Sequence, residues 1–148
     1  MKSVAVSQKV ALAPQPKISD FQEFKRQGFT MVVNNRPDGE DPSQPGSAAE
    51  EAAARAAGLG YVHIPVTNTA MTKDDARRLM ETIERAPGPV VAHCRSGARS
   101  FYLWVLACGL DSHTDAELLA KAAELGVDTN ATRVWLAAHR NSSAGDKK

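Results

Sequence analysis

PVVAHCRSGARS occupies residues 89–100. Val90, Val91 and Ala92 form a compact apolar run bounded by Pro89, which suits a short buried strand. Ser96 and Gly97 then bring turn chemistry. From Ser100 onward, SFYLWVLACGL carries a helical pattern of large apolar residues. The stretch therefore reads strand, polar turn, helix, with Cys94 at the junction.

The flanking sequence repeats this alternation. A short strand or an edge is expected over 10–13, a buried strand over 30–34 (TMVVN) and another over 61–66 (YVHIPV). Helices are expected over 18–27, capped by Ser19 or Asp20 and stopped by Gly28, and over 47–57, capped by Ser47 and stopped by Gly58. A third covers 73–85, with Thr72 as cap and Asp74 and Asp75 in its first turn. Pro87-Gly88-Pro89 breaks it. Further helices are expected over 100–109, 114–125 and 130–140, while NRPDGEDPSQPG can only be loop. Strands alternating with helices predict an α/β fold: one domain over 1–148, with a mainly parallel sheet of about four or five strands flanked by helices. The ends, about 1–8 and 142–148, read as flexible. The alanine-rich helix over 47–57 reads as a charged, solvated packing helix. Trp104 and Trp135 fall on apolar helical faces and read as core.

Composition narrows the function. At 148 residues with 43% hydrophobic and 24% charged residues, the chain can bury one core and keep a polar surface. Its formal net charge is +1, so no global field points to nucleic acid or an anionic membrane. No apolar run approaches the roughly 20 residues that span a bilayer. Ser7, Gln8 and Lys9 interrupt the apolar N-terminal stretch, which makes it a poor signal peptide, so a cytoplasmic protein is expected. Two cysteines, Cys94 and Cys108, make no disulfide framework. Cys108 lies in an apolar helical pattern and reads as a buried small hydrophobe. The histidines and cysteines have no metal-ligand spacing, so neither metal nor cofactor is expected.

Cys94 is different. Backbone N–H groups from Arg95, Ser96, Gly97, Ala98, Arg99 and Ser100 can curl into an anion-binding nest around its sulfur. The helix that follows points its positive end into the same space. Gly97 allows a conformation that other residues resist. Arg99 supplies a bidentate fork for an oxyanion. Such surroundings favour thiolate over thiol, so Cys94 reads as a nucleophile in an anion cradle. His93 reads as orienting the loop through a backbone hydrogen bond. His63, inside a strand, reads as packed. Arg36 follows the strand over 30–34, at the sheet edge where open parallel sheets bind ligands. It either adds a substrate-binding charge or pairs with Asp38 or Glu40 to hold its loop.

HCRSGARS resembles the signature loop of cysteine-dependent phosphatases. With FQEFKRQGFTMVVNNRPDGE and YVHIPVTNTAMT, the chain over about 15–110 is similar to the phosphatase-like domain of the beta-lactamase-hydrolase-like family. That resemblance implies a protein-tyrosine-phosphatase-like scaffold, with Cys94 as nucleophile and Arg99 as the oxyanion-binding arginine. It also implies, for some members, an association with sulfide and persulfide metabolism.

Two features depart from a phosphatase. Only Arg95, Ser96, Gly97 and Ala98 lie between Cys94 and Arg99, four residues where tyrosine and dual-specificity phosphatases have five. The shorter loop resembles that of rhodanese-type sulfurtransferases. A phosphatase also needs an acid for the leaving group. Where dual-specificity phosphatases place an aspartate, this chain has Thr67-Asn68-Thr69. Asp74 and Asp75 suit the helix start, which leaves Asp38 and Glu40 as candidates. Both departures favour sulfur transfer through a Cys94 persulfide, with thiosulfate or a persulfide as substrate. Hydrolysis of phosphomonoesters through a phosphocysteine, with Ser100 aiding its breakdown, is the alternative. A non-catalytic anion-binding module is the second alternative.

Overall fold

The computed structural model describes residues 3–146, with side chains described through residue 140. Among the described residues, five strands form one sheet: β1 (Val4–Ala5), β2 (Val10–Ala13), β3 (Met31–Asn34), β4 (Gly60–His63) and β5 (Val90–His93), in the order β1-β2-β5-β3-β4. The pairs β2–β5, β5–β3 and β3–β4 are parallel, and only β1 is antiparallel. The α/β reading of the sequence holds. The strand over 10–13 is not an edge, because the two-residue β1, too short for a sequence pattern, covers it. β4 stops at His63 rather than Val66. Pro65 has no N–H to continue the ladder, although Ile64 and Val66 still donate to the carbonyls of Asn34 and Asn35.

The parallel strands are buried on both faces, as their unbroken apolar runs require. Alternation along β5 and β3 divides the core. Val90, Ala92 and Val33 face Phe101, Leu103 and Trp104, while Val91 and Val32 face Phe21, Phe24 and Ala54. The second group lies under α1 (Asp20–Arg26) and α2 (Ser47–Ala56). The first is covered by α3 (Lys73–Arg85), α4 (Ala98–Trp104), α6 (Asp115–Leu125) and α7 (Thr129–Asp146). Between α4 and α6 the backbone widens into a π-turn over Val105–Gly109 and resumes as α5 (Leu110–Ser112). A Cβ on Gly109 would sit 3.1 Å from the Trp104 ring, so this close packing of ring on backbone uses glycine.

Thr72 caps α3 as the sequence predicts, in a reciprocal capping box with Asp75. Two expected caps differ. Ser19 makes no capping bond, and Asp20 instead accepts from the Lys17 N–H. Ser47 is the first residue of α2, not its cap: its N–H and hydroxyl both donate to Asp38, 35–46 loop to helix. Trp104 is buried in the core, and Trp135 packs on Tyr102 and His139. At the chain ends, β1 lies within the segment read as flexible, and helical backbone runs through Asp146. Met1, Lys2, Lys147 and Lys148 lie outside the described residues. No helix among the described residues is long and apolar enough to cross a membrane.

Candidate functional site

β2, β3, β4 and β5 run in parallel, so their C-terminal ends share one edge of the sheet. Four segments converge there: Gln15 after β2, Asn35 and Arg36 after β3, Ile64 to Val66 after β4, and the Cys94 loop after β5. Cys94 sits at the foot of its loop, fully buried. Gly97 takes φ +98°, and its N–H points back to the Cys94 sulfur at 3.1 Å. A side chain at Gly97 would be strained in this conformation and would meet Leu125 at 3.3 Å. Gly97 is the residue before the first turn of α4, so the helix start faces the sulfur. Ala98 and Arg99 open the helix, while Arg95 and Ser96 are exposed at the turn. The Gln15 N–H donates to the Arg95 carbonyl at 3.0 Å and ties the loop to β2.

Arg99 reaches across the site. It makes a two-pronged ion pair with Glu40, at 2.7 and 2.9 Å, and donates to the Val66 carbonyl at 3.1 Å. The bonds to Glu40 raise the guanidinium above its ordinary range, against burial and with help from nearby Cys94. In turn the Arg99 bonds, supported by Arg36, hold the Glu40 carboxyl down at about 2. Glu40 therefore carries no proton at neutral pH. Asp38 is also committed, its carboxyl lowered by the Ser47 hydroxyl and N–H it accepts. Asp75 serves the α3 cap and Asp74 pairs with exposed Arg77. None of the four acids weighed from the sequence stands free beside Cys94.

Arg36 takes the pairing role with Glu40, not Asp38. It is almost wholly buried and donates to Glu40 at 3.0 Å and to Gln15 at 3.1 Å. His63 Nε2 donates to the Arg36 carbonyl, 2.8 Å away, which holds the start of the loop. Ser100 is buried, and its hydroxyl donates to Asn35 at 2.8 Å rather than to the sulfur. His93 does reach a backbone carbonyl, that of Cys94 at 3.2 Å. Its other nitrogen lies 2.7 Å from Glu50.

Glu50 corrects the solvated reading of the helix over 47–57. It is 1% exposed, whereas neighbouring Glu51 is in solvent. A signal was present: Glu50 is four residues before buried Ala54 and so shares the inward face of α2. Gln15 and Tyr61, which also bond Glu50, carried no comparable signal. Cys108 is half-buried, and burial pushes its thiol up to about 11. Among the described residues, no group of three His, Cys, Asp or Glu side chains is placed to hold a metal ion.

The five-stranded, mainly parallel sheet, with the Cys94 loop at the C-terminal edge of a central strand, is a protein-tyrosine-phosphatase-like fold. The chain belongs to the beta-lactamase hydrolase-like protein, phosphatase-like domain family, whose profile matches residues 3–111. It is 41% identical to a beta-lactamase hydrolase-like protein of Agrobacterium fabrum, covering 97% of this chain and 33% of that protein. A protein of the same description from Xylella fastidiosa is 38% identical, over 92% of this chain and 32% of its own length. The chain thus spans about a third of the curated relatives it matches. A crystal structure of a candidate phosphatase from Neisseria meningitidis superposes with a TM-score of 0.81 at 29% identity, covering 90% of this chain and 94% of that one. These likenesses support the phosphatase alternative of the sequence reading better than sulfur transfer.

Proposed function

We propose that this domain hydrolyses phosphomonoesters through a phosphocysteine on Cys94, and that its substrates carry leaving groups needing no proton. In this reading the Cys94 sulfur attacks phosphorus, a P–S bond forms, and the P–O bond to the leaving group breaks. Water then cleaves the P–S bond and releases phosphate. The loop N–H groups and Arg99 hold the phosphoryl oxygens. No cofactor enters either step. Carrying the reading is the thiol of Cys94 facing the Gly97 N–H beside Arg99, in a site whose nearby carboxylates are all engaged. With no acid to protonate a departing alcohol, aryl phosphates and mixed anhydrides are the substrates that fit. An incoming phosphoryl group competes with Glu40 for the Arg99 fork.

Sulfur transfer is the second reading, and one observation favours it: the four-residue interval between Cys94 and Arg99. Fewer N–H donors suit a sulfane sulfur, and sulfite leaves thiosulfate without a proton. One experiment separates the two. The protein is incubated with aryl phosphates of graded leaving-group acidity, and separately with thiosulfate, and its intact mass is read under non-reducing acid. Phosphate release that needs Cys94 and falls steeply as the leaving group becomes less acidic supports hydrolysis. A cyanide-reversible gain of about 32 Da with thiosulfate alone, absent in Cys94→Ser, moves the function to sulfur transfer.

A further inference from the structure

Glu40 is shared between two arginines, and the sharing is uneven. Its Oε2 accepts from Arg99 Nη1 at 2.7 Å. Its Oε1 accepts from two sides, Arg99 Nη2 at 2.9 Å and Arg36 Nε at 3.0 Å. The carboxylate can therefore give up Arg99 and keep Arg36. Arg36 itself is fixed. It is 3% exposed, its guanidinium donates to Gln15 at 3.1 Å and its N–H donates to Asn34 at 2.8 Å. Arg99 is only partly buried, and its bond to the Val66 carbonyl at 3.1 Å does not depend on Glu40. The loop backbone need not move either. Asp38 accepts from the Ser47 N–H and hydroxyl, Gln44 donates to the Pro37 carbonyl at 3.0 Å, and Asp41 accepts from the Ser43 N–H at 2.8 Å. These bonds pin the loop on both sides of Glu40, which leaves its side chain as the moving part.

We propose that Glu40 is a built-in competitor for Arg99, which yields the guanidinium to an oxyanion while staying on Arg36 and takes it back as the anion leaves. Release frees one N–H on each terminal nitrogen of Arg99, the pair that can face two oxyanion oxygens. The Val66 carbonyl keeps the guanidinium beside the Cys94 loop meanwhile. Arg36 balances the released carboxylate, so the incoming anion does not meet a bare negative charge. That gives the buried Arg36 a reason to sit behind the site. With its carboxyl held at about 2, Glu40 competes as a charged group throughout the neutral range. Acting through Arg99, Glu40 is a positioning residue, and what it sets is how tightly the site retains phosphate, the product of the proposed hydrolysis. The inference rests on Arg99 as the anion-binding group of that reading, but its test reads anion binding rather than turnover.

The test is calorimetric titration of inorganic phosphate at pH 8 into the unaltered protein, Glu40→Gln and Asp41→Asn. Glu40→Gln should lower the Kd by about five- to tenfold, as expected for removing a two-pronged, partly exposed competitor. Asp41→Asn removes one charge from the same loop, near Arg95 and Arg36, and should change the Kd by less than about twofold. A residue that merely held Arg99 in place would give the opposite sign, weaker phosphate binding in Glu40→Gln. That result overturns the proposal, as do an unchanged Kd, an equal gain in Asp41→Asn, or no phosphate binding by any of the three proteins. If Glu40→Gln does not fold, a crystal structure of the unaltered protein with tungstate decides. Glu40 on Arg36 and off Arg99, with tungstate on Arg99, supports the exchange; Glu40 still paired with Arg99 beside a bound anion overturns it. Tighter phosphate binding by Glu40→Gln without turnover of aryl phosphates would remove the hydrolysis reading and leave the competitor standing.

Discussion

Replacing Glu40 by Gln tests whether its ion pairs organise the site. In the fold its carboxyl is held at about 2, against an ordinary 4.5, by two-pronged Arg99 and buried Arg36. A depression of that size corresponds to roughly 3.5 kcal/mol at about 1.4 kcal/mol per unit. Glu40 is partly in solvent, which screens the pair, so a loss of ~1–2 kcal/mol is expected at pH 7. The folded value lies below the unfolded one, so this stability is present in full above pH 4.5 and is lost as pH falls toward 2. By pH 3 about 40% of it should remain. Urea unfolding of both proteins at pH 7, 4.5 and 3 measures the difference. A gap that stays constant across this range would refute the reasoning, because a lost packing contact has no such pH profile.

Gly97→Ala must force a side chain into φ +98° and against Leu125; a loss of ~1–3 kcal/mol by thermal unfolding is expected, and an undiminished Tm would show that the loop relaxes freely. Asp38→Ala should cost about 1 kcal/mol through the α2 start it supports and leave the turnover of aryl phosphates at pH 7 within about twofold; a drop of roughly a hundredfold or more would make Asp38 the missing acid. Cys108, with its thiol pushed up to about 11, should stay unalkylated at pH 7 while Cys94 reacts, which peptide mapping after brief iodoacetamide treatment checks. Ser100→Ala leaves Asn35 Oδ1 without its buried donor and should destabilise by ~1–3 kcal/mol; a large loss of turnover with unchanged stability would place the hydroxyl in phosphocysteine breakdown instead.

The sequence alone determined most of the elements and the course of the Cys94 loop, because both rest on local chemistry. Short apolar runs between Gly and Pro can only be buried strands, and alternating helices impose parallel pairing on them. Cys94, Gly97 and Arg99 are close in sequence, so their meeting around one sulfur needs only a turn. The Thr72 cap is equally local. What the sequence left open depends on residues that are distant along the chain. Glu40 and Arg99 are 59 positions apart, and Glu50 and His93 are 43 apart. No local pattern says that a loop carboxylate will close on the arginine, or that a glutamate in an alanine-rich helix turns inward. β1 is two residues long and becomes a strand only because β2 presents an open edge. The tertiary structure decided these points by bringing four strand ends to one edge of the sheet, where burial obliges every charge and polar group to find a partner.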